Sequence, residues 1–522
     1  MKKIFPILAT LLMAITSLGS FSQSDVWNMQ LASGQRGQTS VTAENKCLAR
    51  HLFDLAKSED MNWFQFSDRT RLNLAAGEKK PVRARIDTTG LEVGVYEGRL
   101  TLRCADCASE PGCAEETLPL RLKVVWSVAG VQSIQPNQFI AQQILALLDA
   151  ASPAEIENTV RALEAAHNLR RILITPMPSI SGVAALFTIL DLRAVAAVVA
   201  AVQADPRVLI AQPNFVYSTA AQTGSKRPSK NSPNEFDSLQ YGLAKIRADA
   251  VHSQATGKGI KVAVLDTGVD FNHPCLRGRV KEMKSFIEGD NDFRDVHGTM
   301  VAGVIAARRA VGPVRGVAPD AEIISVKVCK PRSKNSIEAD ATSHTLAQGL
   351  DFAITKSANI INLSLGGPRD PIVSQLVRAA FARKIALVAA AGNGGPGASP
   401  VYPAAISKVI AVSAIDVRDQ LYSMASRGGY IDLAAPGVDI LSAQPENRYN
   451  LLTGTSMAAP HVSGVAALIL QLKPDLSAGE IKTLLESTAR DLGAAGKDDS
   501  FGSGCVDALR ATEAIASARA RN

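Results

Sequence analysis

Gly454-Thr455-Ser456-Met457-Ala458-Ala459-Pro460-His461-Val462-Ser463-Gly464 is a run of mostly small residues leading into an apolar stretch, Val465 to Leu472, of helical length. The Thr455 hydroxyl is expected to cap that helix, and Pro460 to be tolerated near its start, where early N–H groups lack intrahelical partners. A serine in this turn sits where free backbone N–H groups and the positive end of a helix dipole converge, so an anion formed beside it is stabilised. Attack of a serine on an amide needs that setting. Many helices begin with a capping serine, so the stretch acquires its meaning from the residues that accompany it.

Two further stretches supply that company. Ile260-Lys261-Val262-Ala263-Val264-Leu265-Asp266-Thr267-Gly268 reads as a buried strand ending in an aspartate, and His297-Gly298-Thr299-Met300-Val301-Ala302-Gly303 as a histidine at the mouth of an apolar helix. In chain order this gives Asp266, His297, Ser456. With Ala390-Ala391-Gly392-Asn393 between the last two, the chain resembles the subtilisin-like serine proteases, the subtilases. Subtilisin is a standard example of the Asp–His–Ser order, which differs from those of α/β-hydrolases and chymotrypsin-like enzymes. Ala458 also rules out a Gly-x-Ser-x-Gly elbow.

The resemblance implies roles for matching positions. Ser456 would be the nucleophile, His297 its base, and Asp266 the group that orients the imidazole. Asn393 would donate to the oxyanion, alongside the Ser456 N–H. Ser364, Leu365 and Gly366 would hold an extended peptide, a strand-addition mode of binding, and Gly392 and Gly394 would flank it. The loop Gly394 to Val401, which by resemblance lines the pocket for the residue before the scissile bond, has no acidic side chain. Val401 stands where the family often has something smaller, so small or medium apolar residues are expected there. Met300 replaces a second histidine common in the family, a change of packing. Cys275 stands where many members have an aspartate calcium ligand, and Arg308 and Arg309 bring two cations to the same region, which does not suit Ca²⁺. No metal and no cofactor is expected.

Other candidates read more plainly. His461 is expected to be packed inside the helix, and His252, His273 and His344 to be surface or turn residues. Asp270 is expected to be a loop carboxylate.

Composition sets bounds. The 522 residues are 46% hydrophobic and 20% charged, enough for several folded domains. The net charge of +7 is thinly spread; the basic cluster Lys226-Arg227-Pro228-Ser229-Lys230 has no interleaved aromatics, and no nucleic-acid role is expected. Lys2 and Lys3 precede an apolar run, Ile4 to Leu18, followed by Gly19, Ser20 and Ser22: the layout of an export signal, residues 1–22. The protein is therefore expected outside the cytoplasm, secreted or periplasmic, with no membrane association once the signal is removed. Seven cysteines are split between Cys47, Cys104, Cys107 and Cys113 near the N-terminus and Cys275, Cys329 and Cys505 later. Export favours disulfides over a zinc site or free thiols, and an odd total leaves at least one thiol unpaired within the monomer.

The order of patterns predicts a multidomain chain. Residues 24–128 carry short alternating runs (71–74, 82–86, 98–102, 118–124) that predict a β-sandwich, and 87–98 resembles immunoglobulin-like modules of the BACON kind. Residues 132–218 alternate strand and helix in a βαββαβ order. Such a small α+β domain just before a subtilase resembles the family's inhibitor I9-like propeptide, which implies an intramolecular inhibitor filling the cleft. Residues 219–235 have linker composition and are expected to be exposed and cleavable. Residues 236–516 alternate near-continuous apolar strands (261–265, 322–328, 359–365, 384–390, 409–415) with helices (343–356, 373–383), the pattern of a doubly wound parallel α/β sheet. Taken together, the expectation is an exported, monomeric serine endopeptidase acting on polypeptides. The alternatives are a non-catalytic surface binding protein working through its β-sandwich, and a peptide ligase using the same three residues.

Overall fold

The computed structural model describes residues 27–44, 51–58, 61–89, 91, 93–105, 115–125, 135–149, 152–219, 221–223, 239–309 and 312–519. The expected export signal, Cys47, Cys107, Cys113 and residues 220 and 224–235 of the expected linker lie outside them. The chain divides into two compact units, Met1–Gln132 and Ser133–Asn522.

The first unit holds β1 (Trp27–Ala32), β2 (Arg36–Glu44), β3 (His51–Lys57), β4 (Phe64–Phe66), β5 (Arg71–Leu74), β6 (Lys79–Asp87), β7 (Gly94–Cys104) and β8 (Glu116–Val125). They form two sheets, ordered β1-β8-β7-β3-β5 and β2-β6-β4. Strict alternation puts Val82, Ala84 and Ile86 of β6 on the inner face, where they share one core with Met29, Phe64, Leu100 and Leu122. Cys104 is disulfide-bonded, while Cys275, Cys329 and Cys505 are buried free thiols.

The second unit begins with β9 (Phe139–Asp149), α1 (Pro153–His167), β10 (Leu169–Met177), β11 (Gly182–Ile189), α2 (Val195–Gln203) and β12 (Val208–Thr219), an antiparallel sheet ordered β10-β11-β9-β12. Ser152 caps α1 by accepting from Glu155 N, and Pro153 follows at the first helical position. Beyond it come β13 (Gln222–Thr223), β14 (Lys261–Asp266), β15 (Val280–Ser285), α3 (Val296–Ala306), β16 (Glu322–Lys327), β17 (Lys330–Pro331), β18 (Ala339–Thr342), α4 (Ser343–Thr355), β19 (Ile360–Leu363), β20 (Leu365–Gly366) and α5 (Pro371–Ala382). The chain closes with β21 (Ala386–Ala390), β22 (Ile410–Ile415), β23 (Leu433–Pro436), β24 (Ile440–Gln444), β25 (Arg448–Thr453), α6 (Thr455–Leu472), α7 (Ala478–Thr488) and α8 (Ala508–Arg519).

The central sheet, β15-β16-β14-β19-β21-β22-β23, is parallel throughout, and the expected parallel strands fall within it. The expected strand 359–365 is two elements, because the chain breaks at Ser364 between β19 and β20. β15 and β23 carry no long apolar run and are edge strands. α6 is buried from Thr455 to Leu470; it is apolar and long enough to cross a membrane but is the core helix of this domain.

β12 belongs to two sheets. Its first part pairs with β9, and its end runs antiparallel to β18 (Tyr217 opposite Ala341) and to β20 (Ser218 opposite Gly366, Thr219 opposite Leu365). The expectation of an exposed linker from residue 219 is thereby corrected. Thr219 and Ala221 are buried, and Gln222–Thr223 pair with Thr453 and Leu452 of β25. Polar, small residues suit a linker by composition, but here the backbone of Thr219 pairs with β20 and that of Gln222–Thr223 with β25.

Candidate active site

Asp266 ends β14, so its side chain emerges beyond the carboxyl end of a central strand, where open α/β sheets place their ligands. His297 is the second residue of α3, and the two elements lock together. Gly298 N donates to Thr267 Oγ1 (3.0 Å), and a Cβ on Gly298 would sit 2.3 Å from Gly268 O, so only glycine permits this approach. Gly268 itself has φ +121. The result is a hydrogen bond from His297 Nδ1 to both Asp266 oxygens (2.8 and 3.0 Å), with both side chains fully buried. A carboxylate accepts only, so Nδ1 is the nitrogen that carries a proton toward Asp266, and in the neutral ring Nε2 is then the acceptor. Nε2 is buried without a hydrogen-bond partner among the described residues.

Lys327, at the end of β16, anchors the approach to α3. Its ammonium is 1% exposed and reaches Asp295 Oδ2 (2.5 Å), Asp290 Oδ2 (2.9 Å) and Asp292 O (2.7 Å). Burial pushes the Asp295 carboxyl up, an effect the lysine opposes. Lys327 and these three aspartates were not among the expected site residues. A lone lysine at the end of an otherwise apolar strand is the signal that pointed to them, because a buried ammonium demands acceptors.

Ser456 is the second residue of α6, whose N-cap is Gly454 at φ 151. Thr455 does not cap the helix, contrary to expectation. Its hydroxyl instead donates to Asn393 Oδ1 (2.9 Å) and accepts from Gly392 N (3.1 Å), while its N–H also donates to Asn393 Oδ1 (3.0 Å). With Oδ1 held by two donors, the Asn393 amide is oriented and Nδ2 is its donor end.

Pro460 is the sixth residue of α6, past the turn where a missing N–H costs nothing, so that expectation is also corrected. It withholds the N–H that would bond the carbonyl of Ser456. Ser364 Oγ donates to that carbonyl instead (2.8 Å), receives Asn362 Nδ2 (3.0 Å), and Asn362 Oδ1 accepts from Ser463 Oγ (2.9 Å). The Ser456 hydroxyl donates to Ser364 O (2.9 Å). A hydrogen bond between Ser456 and His297 is not among those of the described residues. Ser364 is therefore a positioning residue, while Leu365 and Gly366 carry the pairing with Thr219 and Ser218.

Gly366 and Gly392 both approach Val401. A Cβ on Gly366 would lie 2.1 Å from Val401 Cγ1 and one on Gly392 2.8 Å from Val401 Cγ2, so the two methyls of Val401 fill the gap. Gly394 is held from outside, its N–H donating to Ser426 Oγ (3.2 Å). His461 is buried, its Nδ1 on Met457 O (2.8 Å), and burial holds it down at about 4. His344 is buried too, not a surface residue: its ring meets Thr175 Oγ1 at 3.1 Å and burial pushes it down to about 4. His273 is buried as well, bonding Arg448 O at 3.1 Å, and His252 is partly buried with Nε2 on Val317 O at 2.9 Å. Asp270 is 4% exposed and accepts from Asn272 N (3.1 Å) and Glu446 N (3.3 Å).

The residues around Cys275 do not suit a calcium ion. Arg308 N donates to Cys275 O (2.9 Å), and Cys275 packs with Ala307, Val314, Leu441 and Leu451 beneath Tyr449. An apolar cluster supplies none of the oxygens that Ca²⁺ requires.

The profile of the subtilase family matches residues 257–504. Among similar proteins, the M-protease of Shouchella clausii (strain KSM-K16) is 40% identical over 279 residues, covering 53% of this chain and 70% of the relative. Subtilisin Savinase of Lederbergia lenta is 40% identical over 279 residues, which is 53% of this chain and 99% of that protein. A thermophilic serine proteinase of Bacillus sp. (strain AK1) is 34% identical over 357 residues, 67% of this chain and 84% of the relative.

Proposed function

As the chain belongs to the subtilase family and is a serine-type endopeptidase, we propose that it is an exported enzyme made as a precursor, which residues 133–220 inhibit and which it cuts itself between Ala220 and Ala221. The register of β12 on β20 carries this reading. The described part of β12 ends at Thr219 opposite Leu365, the residue next to Ser364, whose carbonyl Ser456 bonds. On the other side, β13 pairs with the two residues before Gly454. The chain thus enters and leaves the nucleophile along two short ladders.

In the reaction, the Ser456 hydroxyl gives up Ser364 O for His297 Nε2 and adds to the carbonyl carbon as Nε2 takes its proton. The bond between Asp266 and Nδ1 holds the ring and stabilises the imidazolium. The developing oxyanion receives Asn393 Nδ2 and the Ser456 N–H, which has no intrahelical acceptor. The tetrahedral species then expels the amine, which takes the Nε2 proton, and water repeats the cycle on the acyl-enzyme. Val401 favours a small side chain before the scissile bond, and the chain's own residue there is Ala220.

Ser456→Ala expressed alone and analysed by mass spectrometry tests this. The variant should keep the 220–221 bond intact and lack residues 1–22, whereas the wild type should yield a chain beginning at Ala221. Trimming of the variant at the same bond would sink self-processing.

A further inference from the structure

We infer that the hairpin of β17 and β18 makes the enzyme selective for hydroxyl side chains. It takes threonine or serine at the substrate position that Thr219 occupies, and favours serine at the position before it. The substrate class is then an extended polypeptide segment with two consecutive hydroxyl residues. The inference rests on the proposed precursor, in which residues 133–220 fill the substrate's place.

The end of β12 is held from both sides: Ser218 lies opposite Gly366 of β20 and opposite Asp340 of β18. Pairing with β18 runs from Val216 to Ser218 and stops there. One residue further on, a side chain takes over from the backbone. Ala339 N donates to Thr219 Oγ1 (2.9 Å), and that hydroxyl donates to Ile337 O (3.1 Å). Ala339 is fully buried and Thr219 is 8% exposed, so water has little access to this pair of bonds. A hydroxyl both accepts and donates at a single atom, and here it is asked to do both. Valine has the shape of threonine. It would shut water away from the Ala339 N–H and the Ile337 carbonyl and give nothing back, the costly case for buried polar groups. A site whose own polar groups need a hydroxyl rejects the analogue that lacks it. Both groups are backbone of the enzyme and stay when residues 133–220 leave.

The hairpin is braced to present a second acceptor beside this one. β17 and β18 pair antiparallel, Lys330 opposite Asp340 and Pro331 opposite Ala339. Arg332 grips Asp340 with two parallel bonds, Nε to Oδ2 and Nη2 to Oδ1 (2.9 Å each), while its Nη1 reaches Glu338 Oε2 (2.7 Å). A carboxylate gripped by a guanidinium fork keeps its charge and its place. Ser218 Oγ donates to Asp340 Oδ1 at 2.6 Å. The Asp340 side chain is 37% exposed, so water competes with this contact and it discriminates less than the buried one at Thr219.

The test uses the mature enzyme and quenched peptides Tyr-Ser-Xaa-Ala-Ala-Gln-Thr with threonine, serine, valine or alanine at Xaa, and mass spectrometry of the products. The expected kcat/KM for threonine exceeds that for valine roughly ten- to hundredfold, with serine nearer threonine and alanine nearer valine. Ala339→Pro deletes the donor N–H, and the threonine-to-valine ratio should fall toward one. In a second series, alanine in place of the serine should cost about two- to tenfold. Asp340→Ala should remove that difference and keep the threonine-to-valine ratio. Each reading is a ratio within one enzyme, so loss of folded fraction cancels. If a variant does not fold, the wild-type series alone decides. Equal rates for threonine and valine, or an unchanged ratio in Ala339→Pro, overturns the inference and leaves proteolysis standing. Equal rates for serine and alanine in the second series overturn the role given to Asp340. Cleavage of casein with none of the peptides cut also overturns the inference. No cleavage of any polypeptide would overturn the proposed function and this inference with it.

Discussion

Replacing Val401 by glycine should widen the range of residues accepted immediately before the scissile bond. The two Val401 methyls occupy the space between Gly366 and Gly392, at 2.1 and 2.8 Å from the positions their missing Cβ atoms would take. Removing the isopropyl group frees room for about three carbons of a substrate side chain. At roughly 0.8 kcal/mol per buried methylene, a leucine at that position gains about 2.4 kcal/mol in the variant. Each 1.4 kcal/mol is tenfold, so kcat/KM for leucine over alanine should rise about 50-fold. The assay is a series Tyr-Ser-Thr-Xaa-Ala-Gln-Thr with alanine, leucine or phenylalanine at Xaa, run on wild type and variant. Wild type should favour alanine. An unchanged profile in Val401→Gly, or a wild type that already prefers phenylalanine, refutes the reasoning, because Val401 would then not occupy the relevant space.

Two further outcomes follow from the site and its surroundings. Thr455→Val removes the hydroxyl that holds Asn393 Oδ1 and Gly392 N; kcat should fall about ten- to a hundredfold with KM little changed, the mark of an interaction realised in the transition state, and stopped assays across substrate concentrations check the split. Acid should weaken the Ser456→Ala precursor: burial holds His344 and His461 at about 4 in the folded state, below their ordinary value of 6.5, so unfolded chains bind protons more readily as the pH falls from 6.5 toward 4. Urea midpoints at pH 7 and pH 5 should show the loss, and His344→Gln should shrink it. The raised carboxyls of Asp351 and Asp370 act in the opposite sense nearer the ordinary carboxylate range.

Much of the catalytic domain was legible from local pattern. Continuous apolar runs marked β14, β16, β21 and β22 because strands covered on both faces must be apolar throughout. Asp266 and His297 were identifiable because each ends or begins a regular element beside a glycine that permits close approach. Edge strands β15 and β23 were not, since a strand with one covered face or a short span lacks that signature. Thr455 was read as a cap for a similar reason: a hydroxyl at a helix start usually caps, and only the fold shows that Gly454 takes that place while Asn393 claims the hydroxyl.

The amino-acid order by itself determined which segments are strands and helices and which residue types stand at their ends, because periodicity and chain stereochemistry act over a few residues. It also carries the motifs on which the proposed grouping of Ser456, His297, Asp266 and Asn393 into one site rests. Only the tertiary structure decided where residues 216–219 and 221–223 go, which donor meets the Ser456 carbonyl that Pro460 leaves open, and what surrounds Asp370. Those are matters of hydrogen-bond partnership between groups far apart along the chain, 92 positions for Ser364 and Ser456 and 158 for Gln212 and Asp370. A backbone donor or a buried carboxylate states that it needs a partner, but its sequence neighbourhood does not say which one.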